Sequence, residues 1–331
     1  MIVYLFRSKK KKEHSIEIVY EGLAQHVNKK GNDTKCIYLP NERYNSSSAI
    51  IENIKYLKYV KGDIIHITGE VYFAGLFLPG KKTVMSVMDL VMLEPTHARG
   101  IKYYIFKYFW FYLPMRHVRY ITCISEKVKE DILELFPRFK DKIQVIPVQC
   151  GEYIKRKDKA FNSLKPEILL VGTRKNKNIE RVIEAVKGIS CSLAIVGNLS
   201  QEQLVLLEHN KIKYSNYVNI SNEEIYERYC AADIVCFVST YEGFGMPIIE
   251  AQTVGRAVVT SNIRPLCDVA GDGARLVNPY DVNDIRLAIE QIINDENERE
   301  SLINKGFINS KKYSMDSIAE EYLKIYKEIS K

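Results

Sequence analysis

The sequence predicts an α/β protein of two doubly wound domains, each a mostly parallel sheet with helices on both faces. At 331 residues with 46% hydrophobic content, the chain is long enough to form two cores. Short runs rich in β-branched residues alternate with amphipathic stretches, which is typical of successive βαβ units. This alternation stops at a polar, lysine-rich segment and then begins again. We therefore expect an N-terminal domain at 1–150, a linker at 151–166 and a C-terminal domain at 167–312.

The predicted strands are apolar and bounded by turn residues, and the stretches between most of them have helical periodicity. In the first half we expect strands at 2–6, 34–39, 63–68, 82–87, 120–125 and 143–147, and helices at 15–29, 48–59 and 126–136. In the second half we expect strands at 167–172, 192–197, 216–220, 233–240, 257–261 and 274–279. Three helical patterns close the chain, at 281–294, 296–311 and 315–329.

Charge is distributed unevenly along the chain. Residues 1–150 contain 24 lysines and arginines against 15 acidic residues, whereas the rest contains 24 against 26. The asymmetry predicts that the first domain meets an anionic partner, such as a membrane surface, a phospholipid-linked substrate or a nucleic acid. A solvated basic face is the alternative. The run Lys9–Lys12 has the same two interpretations, a solvated stretch or a loop that meets phosphate headgroups.

Seven scattered cysteines without a C-x-x-C pair predict a reducing compartment and neither a disulfide framework nor a zinc site. No apolar run reaches the roughly 18 residues that a membrane span needs. Basic residues follow the first apolar run, which is the reverse of a signal peptide. We expect a cytoplasmic protein. No Asp-x-Asp motif or histidine cluster predicts a metal, so we expect no metal and no cofactor.

An aromatic segment lies at 100–120, with eight aromatic residues between Tyr103 and Tyr112 and cations around them. A buried helix explains about half of these residues. An interfacial helix also has a wide aromatic face flanked by cations. Together with the basic excess of the first half, this pattern predicts peripheral contact with the cytoplasmic face of an anionic membrane.

The stretch "EGFGMPIIE" follows a predicted strand and runs into a helix, with Pro247 where proline favours a helix start. Its glycines allow backbone N–H groups to approach phosphate or sugar hydroxyls. Glu242 lies in the loop, and Glu250 on the helix is placed to accept hydrogen bonds from a ribose diol. Arg174 and Lys177 follow another strand and are placed to neutralise a diphosphate. Taken alone, each glutamate is also explained as a partner of a helix dipole, and each cation as a solvated surface residue.

Three segments together resemble the nucleotide-binding half of retaining glycosyltransferases with the GT-B fold, the group 1 (GT4) family. They are "VGTRKNKNIERVIEA", "SNEEIYERYCAADIVCFVSTYEGFGMPIIEA" and "GRAVVTSNIRPLCDVAGDGARLVNPYD". Glu242 and Glu250 match the E-x7-E motif of that family. The resemblance covers residues 167–329, and its motifs occur in the family's order.

The resemblance implies that Glu242 contacts the donor sugar and that Glu250 holds the ribose. It implies that Lys177 binds the diphosphate, with Arg174 as the second cation because the loop after Gly172 is one residue shorter than usual. It also implies that backbone of the glycine-rich loop lies over the sugar and the phosphates. Backbone near residues 218–221 is expected to contact the base. The expected residues of the donor site are Gly172, Thr173, Val218, Asn219, Gly243, Phe244, Gly245, Met246, Pro247 and Glu250.

The first domain resembles the same family at the H-x-T-G-D, T-I-H-D and I-S-E segments. Asp89 is kept and is expected to be catalytic with Glu242, Lys177 and Arg174. The usual histidine is Met88 and the usual aspartate after Thr-Gly is Glu70. Methionine here is either a core residue or a change that affects sugar identity or efficiency. The expected acceptor-side residues are His14, Ser15, Gly69 and Met88.

The resemblance implies a metal-independent retaining glycosyltransferase that moves a sugar from a UDP- or GDP-sugar to an acceptor hydroxyl. The two domains would face a central cleft, with residues 313–331 crossing back to the first domain. A lipid-linked or cell-surface glycan intermediate fits the basic, aromatic first domain as acceptor. Alternatives are a GT-B epimerase or phosphorylase, and a sugar-nucleotide-binding or membrane-docking partner with weakened catalysis. We expect no nucleic-acid role, because no recognition helix or RNA motif is visible.

Overall fold

The computed structural model describes residues 1–8, 15–41, 47–94 and 99–331. The chain divides into two compact units, which are described separately below. Unit 1 contains Met1–Gln149 together with Met315–Lys331, and unit 2 contains Cys150–Ser314. Residues 151–166 at the start of unit 2 contain neither helix nor strand.

Unit 1 is built on a six-stranded parallel sheet in the order β2-β1-β3-β4-β5-β6. All five residues of the first strand are buried, as expected for a strand covered on both faces. The strands are β1 Ile2–Phe6, β2 Thr34–Tyr38, β3 Ile64–Ile67, β4 Thr83–Val87, β5 Tyr120–Cys123 and β6 Ile143–Val145. The main helices around them are α1 Ser15–Lys29, α2 Ser47–Leu57 and α5 Glu126–Leu135.

The aromatic segment forms one continuous helix, which we call the aromatic helix (residues 101–117). It comprises α3 Ile101–Ile105, a π-helical stretch Phe106–Tyr112 and α4 Leu113–His117. Its inner face is buried, since Trp110 and Phe111 are 5% and 0% exposed. The five large side chains of its outer face are all at least 46% exposed, namely Ile101, Tyr104, Ile105, Tyr108 and Phe109. The buried face agrees with the interpretation as a buried helix, and contact of the exposed face with a membrane stays a prediction.

The last helix, α13 Met315–Ile329, belongs to unit 1. It is attached through buried polar groups as well as apolar ones. The ring of His66, on β3, has its Nδ1 2.6 Å from the Tyr326 hydroxyl and its Nε2 2.6 Å from Ser86 Oγ. Tyr322 lies 3.2 Å from both Ser86 and Tyr20. These contacts join the helix to α1, β3 and β4 of the first sheet.

Unit 2 has a second six-stranded parallel sheet, in the order β12-β11-β10-β7-β8-β9. Its strands are β7 Glu167–Val171, β8 Ser192–Val196, β9 Tyr214–Tyr217, β10 Ile234–Phe237, β11 Ala257–Ser261 and β12 Arg275–Val277. Its helices are α6 Ile179–Ala185, α7 Gln201–His209, α8 Asn222–Ala231, α9 Met246–Val254, α10 Leu266–Ala270, α11 Val282–Asn294 and α12 Glu296–Ser310. The order changes direction at β7 and β10, where doubly wound sheets bind ligands.

Helix starts in unit 2 follow from local sequence. Ser200 and Gln203 form a capping box at α7, and Ser221 and Glu224 form one at α8. Observed strands are a little shorter than the predicted ones. β10, for example, ends at Phe237 and not at Thr240, because the chain leaves the sheet to form the following loop. Among the described helices, none has both the length and the apolarity needed to cross a membrane.

Candidate active site

The loop between β10 and α9 lies at the carboxyl edge of the second sheet. Gly245 precedes α9 with a φ of 122°, a conformation that favours glycine. A Cβ added there would approach Leu266 Cδ2 to 2.8 Å, so the Leu266 side chain would also have to shift. Met246 begins α9 and Pro247 lies in its first turn, where the missing N–H of proline costs nothing. Phe244 is buried and its ring packs against Tyr313, with the ring centroids 5.7 Å apart.

Glu242 in this loop is held by two residues that follow β7. Its Oε1 accepts hydrogen bonds from Lys177 Nζ at 2.6 Å and from Asn176 Nδ2 at 3.1 Å. The Lys177 and Glu242 side chains are only 14% and 16% exposed, so water screens this ion pair weakly. Lys177 Nζ also lies 4.6 Å from the centre of the Phe237 ring. The pair therefore joins the loops after β7 and β10, which are neighbouring strands.

The loop after β7 is shaped around the Lys177 side chain. Gly172 has a φ of 90°, and a Cβ there would come within 2.9 Å of Lys177 Cε. Thr173 turns away from Glu242, since its hydroxyl donates to the Asn198 carbonyl at 2.6 Å. Arg174 is exposed. The structure thus brings Lys177 to Glu242, whereas Thr173 faces the loop after β8 and Arg174 points into solvent.

Glu250 lies on α9 and is 7% exposed. The Tyr229 hydroxyl donates to its Oε2 at 2.6 Å. Burial raises the pKa of the Glu250 carboxyl, and hydrogen bonds from Tyr229 and Tyr153 partly offset that rise. Tyr153 and Tyr229 were not predicted from the sequence. Tyr229 lies in the same family-like segment as Glu250 but 21 residues before it, and Tyr153 lies outside that segment. Their phenol groups orient this carboxylate.

Two further predicted residues lie after β9. Val218 is 39% exposed and Asn219 has a φ of 55°, just before Ser221 caps α8. This strained turn presents backbone groups at the same edge of the sheet as Glu242.

In unit 1 the predicted residues lie at the ends of β3 and β4. Gly69 has a φ of 115°, and a Cβ there would approach Met88 Cγ to 3.2 Å. Met88 is 8% exposed and its backbone N–H donates to the Tyr72 hydroxyl at 3.1 Å. Asp89 Oδ1 accepts from the Val91 N–H at 3.1 Å and so starts the turn after β4. Met88 therefore packs against the Gly69 loop.

Two other predicted positions are at the start of α1. Ser15 is the first residue of that helix. His14 and the run Lys9–Lys12 lie outside the described residues. Within the part of the chain that the structure describes, no group of three or more histidine, cysteine or acidic side chains is placed to hold a metal ion.

Comparison with known proteins shows what the chain is similar to. Residues 152–308 match the family model described as glycosyl transferases group 1. The matched region, 157 of the 331 residues, is similar to group 1 glycosyltransferases. One similar protein is the O-antigen chain mannosyltransferase B of Escherichia coli, 28% identical over 62% of this chain and 60% of that protein. Another is the O-antigen chain mannosyltransferase RfbU of Salmonella typhimurium, 30% identical over 56% and 54% of the two chains. The matched region spans less than two thirds of these relatives.

Solved structures establish the fold of the chain. A glycosyltransferase from Rickettsia africae superposes with a TM-score of 0.79 at 18% identity, covering 100% of this chain and 98% of that one. Anabaena Alr3699/HepE in complex with UDP and glucose superposes with a TM-score of 0.76 at 14% identity, covering 99% and 100%. The predicted GT-B fold and the predicted family resemblance are confirmed.

A charged triad in unit 1 was not predicted from the sequence. Arg7, just after β1, donates from Nε to Glu17 at 2.6 Å and from Nη1 to Glu70 at 2.5 Å. Burial lowers the pKa of Arg7, but the bonds to Glu17 and Glu70 outweigh it and raise that pKa above its ordinary value. Glu70 has a φ of 47°, and its carbonyl accepts from Trp110 Nε1 at 2.9 Å. The glutamate after Thr-Gly was the available signal, and its partners are distant in sequence.

Proposed function

We propose that this protein is a retaining glycosyltransferase that moves a mannosyl group from a nucleotide diphosphate donor to a hydroxyl of a growing surface glycan. The Glu242–Lys177 pair carries the proposal, because it places an acid and a cation together at a glycine-rich loop and a helix N-terminus. The mannose assignment is supported by relatives named as O-antigen mannosyltransferases. Those relatives also support polysaccharide biosynthesis as the setting.

In this proposal the donor lies over the carboxyl edge of the second sheet. Gly243 and Gly245 allow backbone N–H groups to reach the phosphates, as at other helix N-termini that bind anions. Lys177 and Arg174 neutralise the diphosphate as it leaves, which is why we infer a metal-independent reaction. Glu242 contacts the sugar, and Glu250 accepts hydrogen bonds from the ribose hydroxyls. The acceptor hydroxyl attacks the sugar from the same face that the diphosphate leaves. The departing phosphate takes the proton of that hydroxyl.

We further propose that the acceptor is lipid-linked and that unit 1 meets an anionic membrane through the aromatic helix. Its exposed side chains are spaced three and four residues apart, from Ile101 to Phe109, and so form one stripe. Lys102 and Lys107 flank the stripe and lie over the rings of Phe106 and Tyr103. An apolar stripe bordered by cations is complementary to an interface of acyl chains and acidic headgroups.

The donor assignment is tested by a thermal-shift screen of UDP, GDP and their sugars, followed by transfer assays. The matching nucleotide should raise the melting temperature by mass action. Glu242→Ala should lower turnover by about 10²–10³-fold while nucleotide binding stays close to wild type. Glu208→Ala, an exposed acid on α7, is the matched control and should leave both unchanged. Full activity in excess EDTA would support the metal-independent step.

Nucleotide binding without transfer or donor hydrolysis would favour the other interpretation, a sugar-nucleotide-binding partner with weakened catalysis. Met88 at the usual histidine position is the observation behind that interpretation. Turnover that survives Glu242→Ala would show that the assigned role of Glu242 is wrong.

The membrane proposal is tested by vesicle sedimentation. Tyr108→Ser combined with Phe109→Ser should reduce binding to anionic vesicles, because about 25 cal/mol is lost for each Å² of apolar surface no longer buried. Val205→Ser combined with Tyr280→Ser removes exposed apolar groups from unit 2 and serves as the control. Equal vesicle binding by the two double variants would contradict membrane contact through the aromatic helix.

A further inference from the structure

A basic pocket opens at the amino edge of the first sheet, the edge opposite the loops that hold Met88 and Glu70. Its position follows from the strand starts: Lys81, Arg119 and Lys142 precede β4, β5 and β6. The pocket has a volume of about 480 Å³. Tyr120 lines it together with the charged or ionisable side chains of Lys81, His117, Arg119, Arg138, Asp141 and Lys142.

Positive charge in this pocket is only partly balanced. Four lysines and arginines line it against one carboxylate, Asp141. Lys142 is turned inward, and its Nζ donates to the carbonyls of Met115 at 2.7 Å and Arg116 at 3.0 Å. Burial first, and then the charges of Arg119 and Arg138, lower the pKa of Lys142 to about 8. The cations therefore repel one another.

The surrounding contacts hold these side chains in place. Arg138 Nη1 donates to the Tyr112 hydroxyl at 2.7 Å, and its guanidinium lies over the rings of Tyr112 and Phe139. His117 Nε2 lies 3.1 Å from the Leu78 carbonyl. The Tyr120 hydroxyl donates to Glu328 at 2.5 Å. Ordered guanidinium groups lose less entropy when they bind an anion.

We propose that this pocket binds a phosphate group. Two guanidinium groups offer the paired N–H geometry that phosphate oxygens accept, and two ammonium groups add point charges. A phosphate would also relieve the mutual repulsion that surrounds Lys142. The site is distinct from the donor cations Lys177 and Arg174, which belong to unit 2.

The phosphate can belong to a lipid headgroup or to a soluble molecule. The pocket is continuous with the aromatic helix, because Arg138 contacts Tyr112 and the Tyr112 ring lies 5.8 Å from that of Tyr108, which is 46% exposed. That continuity permits a headgroup to enter the pocket while the stripe meets acyl chains. The phosphate proposal depends on the cations of the pocket and not on membrane contact by the aromatic helix.

Two double variants of the full chain test the pocket with the same change in net charge. Lys81→Gln/Arg119→Gln removes two cations of the pocket, whereas Lys35→Gln/Lys61→Gln removes two exposed cations near β2 and β3. In the first arm, inorganic phosphate is compared with chloride at equal ionic strength in a thermal-shift assay. Phosphate should raise the melting temperature of the control double variant several degrees more than that of the pocket double variant. Phosphate bound by the donor cations contributes equally to both.

In the second arm, sedimentation measures binding to phosphatidylcholine vesicles with and without phosphatidylglycerol. If a headgroup is the ligand, the pocket variant should bind anionic vesicles on the order of tenfold more weakly than the control variant. A difference in the soluble-phosphate arm alone assigns the pocket to a soluble phosphate compound. Equal responses of the two variants in both arms overturn the proposal. The Tyr108→Ser/Phe109→Ser variant distinguishes the two proposals. If it loses vesicle binding but keeps the rise in melting temperature with phosphate, the membrane contact and the phosphate pocket are separate features.

Discussion

The carboxyl edges of the two sheets are built from opposite kinds of sequence. In unit 2, the Glu242–Lys177 pair comes from two short loops with recognisable motifs, one after each of two adjacent strands. In unit 1, the Arg7–Glu17–Glu70 triad joins the end of β1, α1 and the end of β3, and no motif contains all three. A site made of contiguous segments is visible in sequence, whereas a site assembled by topology is not.

The ion pairs of the two sites also differ in how deeply they are buried. The Arg7 and Glu17 side chains are 7% and 6% exposed, whereas Lys177 and Glu242 are 14% and 16% exposed. Removing one member of a deeply buried pair leaves a charge without a partner. We therefore expect the unit 1 triad to matter most for stability and the unit 2 pair to matter most for turnover.

The largest expected effect is the loss of Arg7. Arg7→Met should lower the free energy of unfolding by about 3–5 kcal/mol, because Glu17 stays buried without its cation. Chemical denaturation followed by circular dichroism measures this change. The double variant Arg7→Met/Glu17→Leu should recover part of the loss, since no buried charge then lacks a partner. Equal destabilisation of the single and double variants would contradict the ion-pair explanation.

Next in size is the effect of Lys177 on catalysis. Lys177→Met should lower kcat by about 10²–10³-fold, because charge that develops on the departing diphosphate loses its nearest cation. Steady-state kinetics with the donor found in the nucleotide screen measures it. Lys213→Met changes an exposed lysine of the same unit and should leave kcat near wild type. If both variants kept full turnover, the comparison between a stability site and a turnover site would fail.

A smaller effect concerns the attachment of α13 to the first sheet. Burial lowers the pKa of His66 from 6.5 to about 3, so the folded protein keeps this ring neutral while the unfolded chain takes up a proton. The contribution of His66 to the free energy of unfolding is complete above pH 6.5. It falls as the pH drops towards 3, and about 2 kcal/mol is lost at pH 5. His66→Gln should flatten this dependence in denaturation curves. His209→Gln, at the exposed end of α7, should not.

The smallest expected effect is that of Glu250 on stability. Its pKa is raised by burial, so its contribution is complete below the unfolded value of 4.5 and is lost as the pH rises through the folded value. Glu250→Gln should therefore be more stable than wild type at pH 8 and nearly equal to it at pH 4. Its nucleotide affinity should fall on the order of tenfold, because a charged hydrogen-bond acceptor is removed. Glu208→Gln should change neither quantity.

Much of the architecture could be predicted because it depends on local patterns. Apolar runs such as "IVYLF" and "EILLV" have the length and residue types of buried parallel strands, and both are strands in the structure. The glycine-rich loop and the start of α9 at Met246 follow from the conformational preferences of glycine and proline. Strand ends were less predictable, as at β10, because a strand stops where its neighbour stops pairing with it.

By itself, the sequence determined the order of the elements, the two parallel sheets and the spacing that carries Glu242 and Glu250 to one loop and one helix. Only the tertiary structure decided which side chains meet across that spacing: Lys177 with Glu242, Tyr229 with Glu250, and Arg7 with Glu17 and Glu70. It also decided that Lys81, Arg119, Arg138 and Lys142 share one pocket. The physical reason is that periodicity and turn chemistry act over a few residues, whereas strand order brings together side chains that are far apart in the chain.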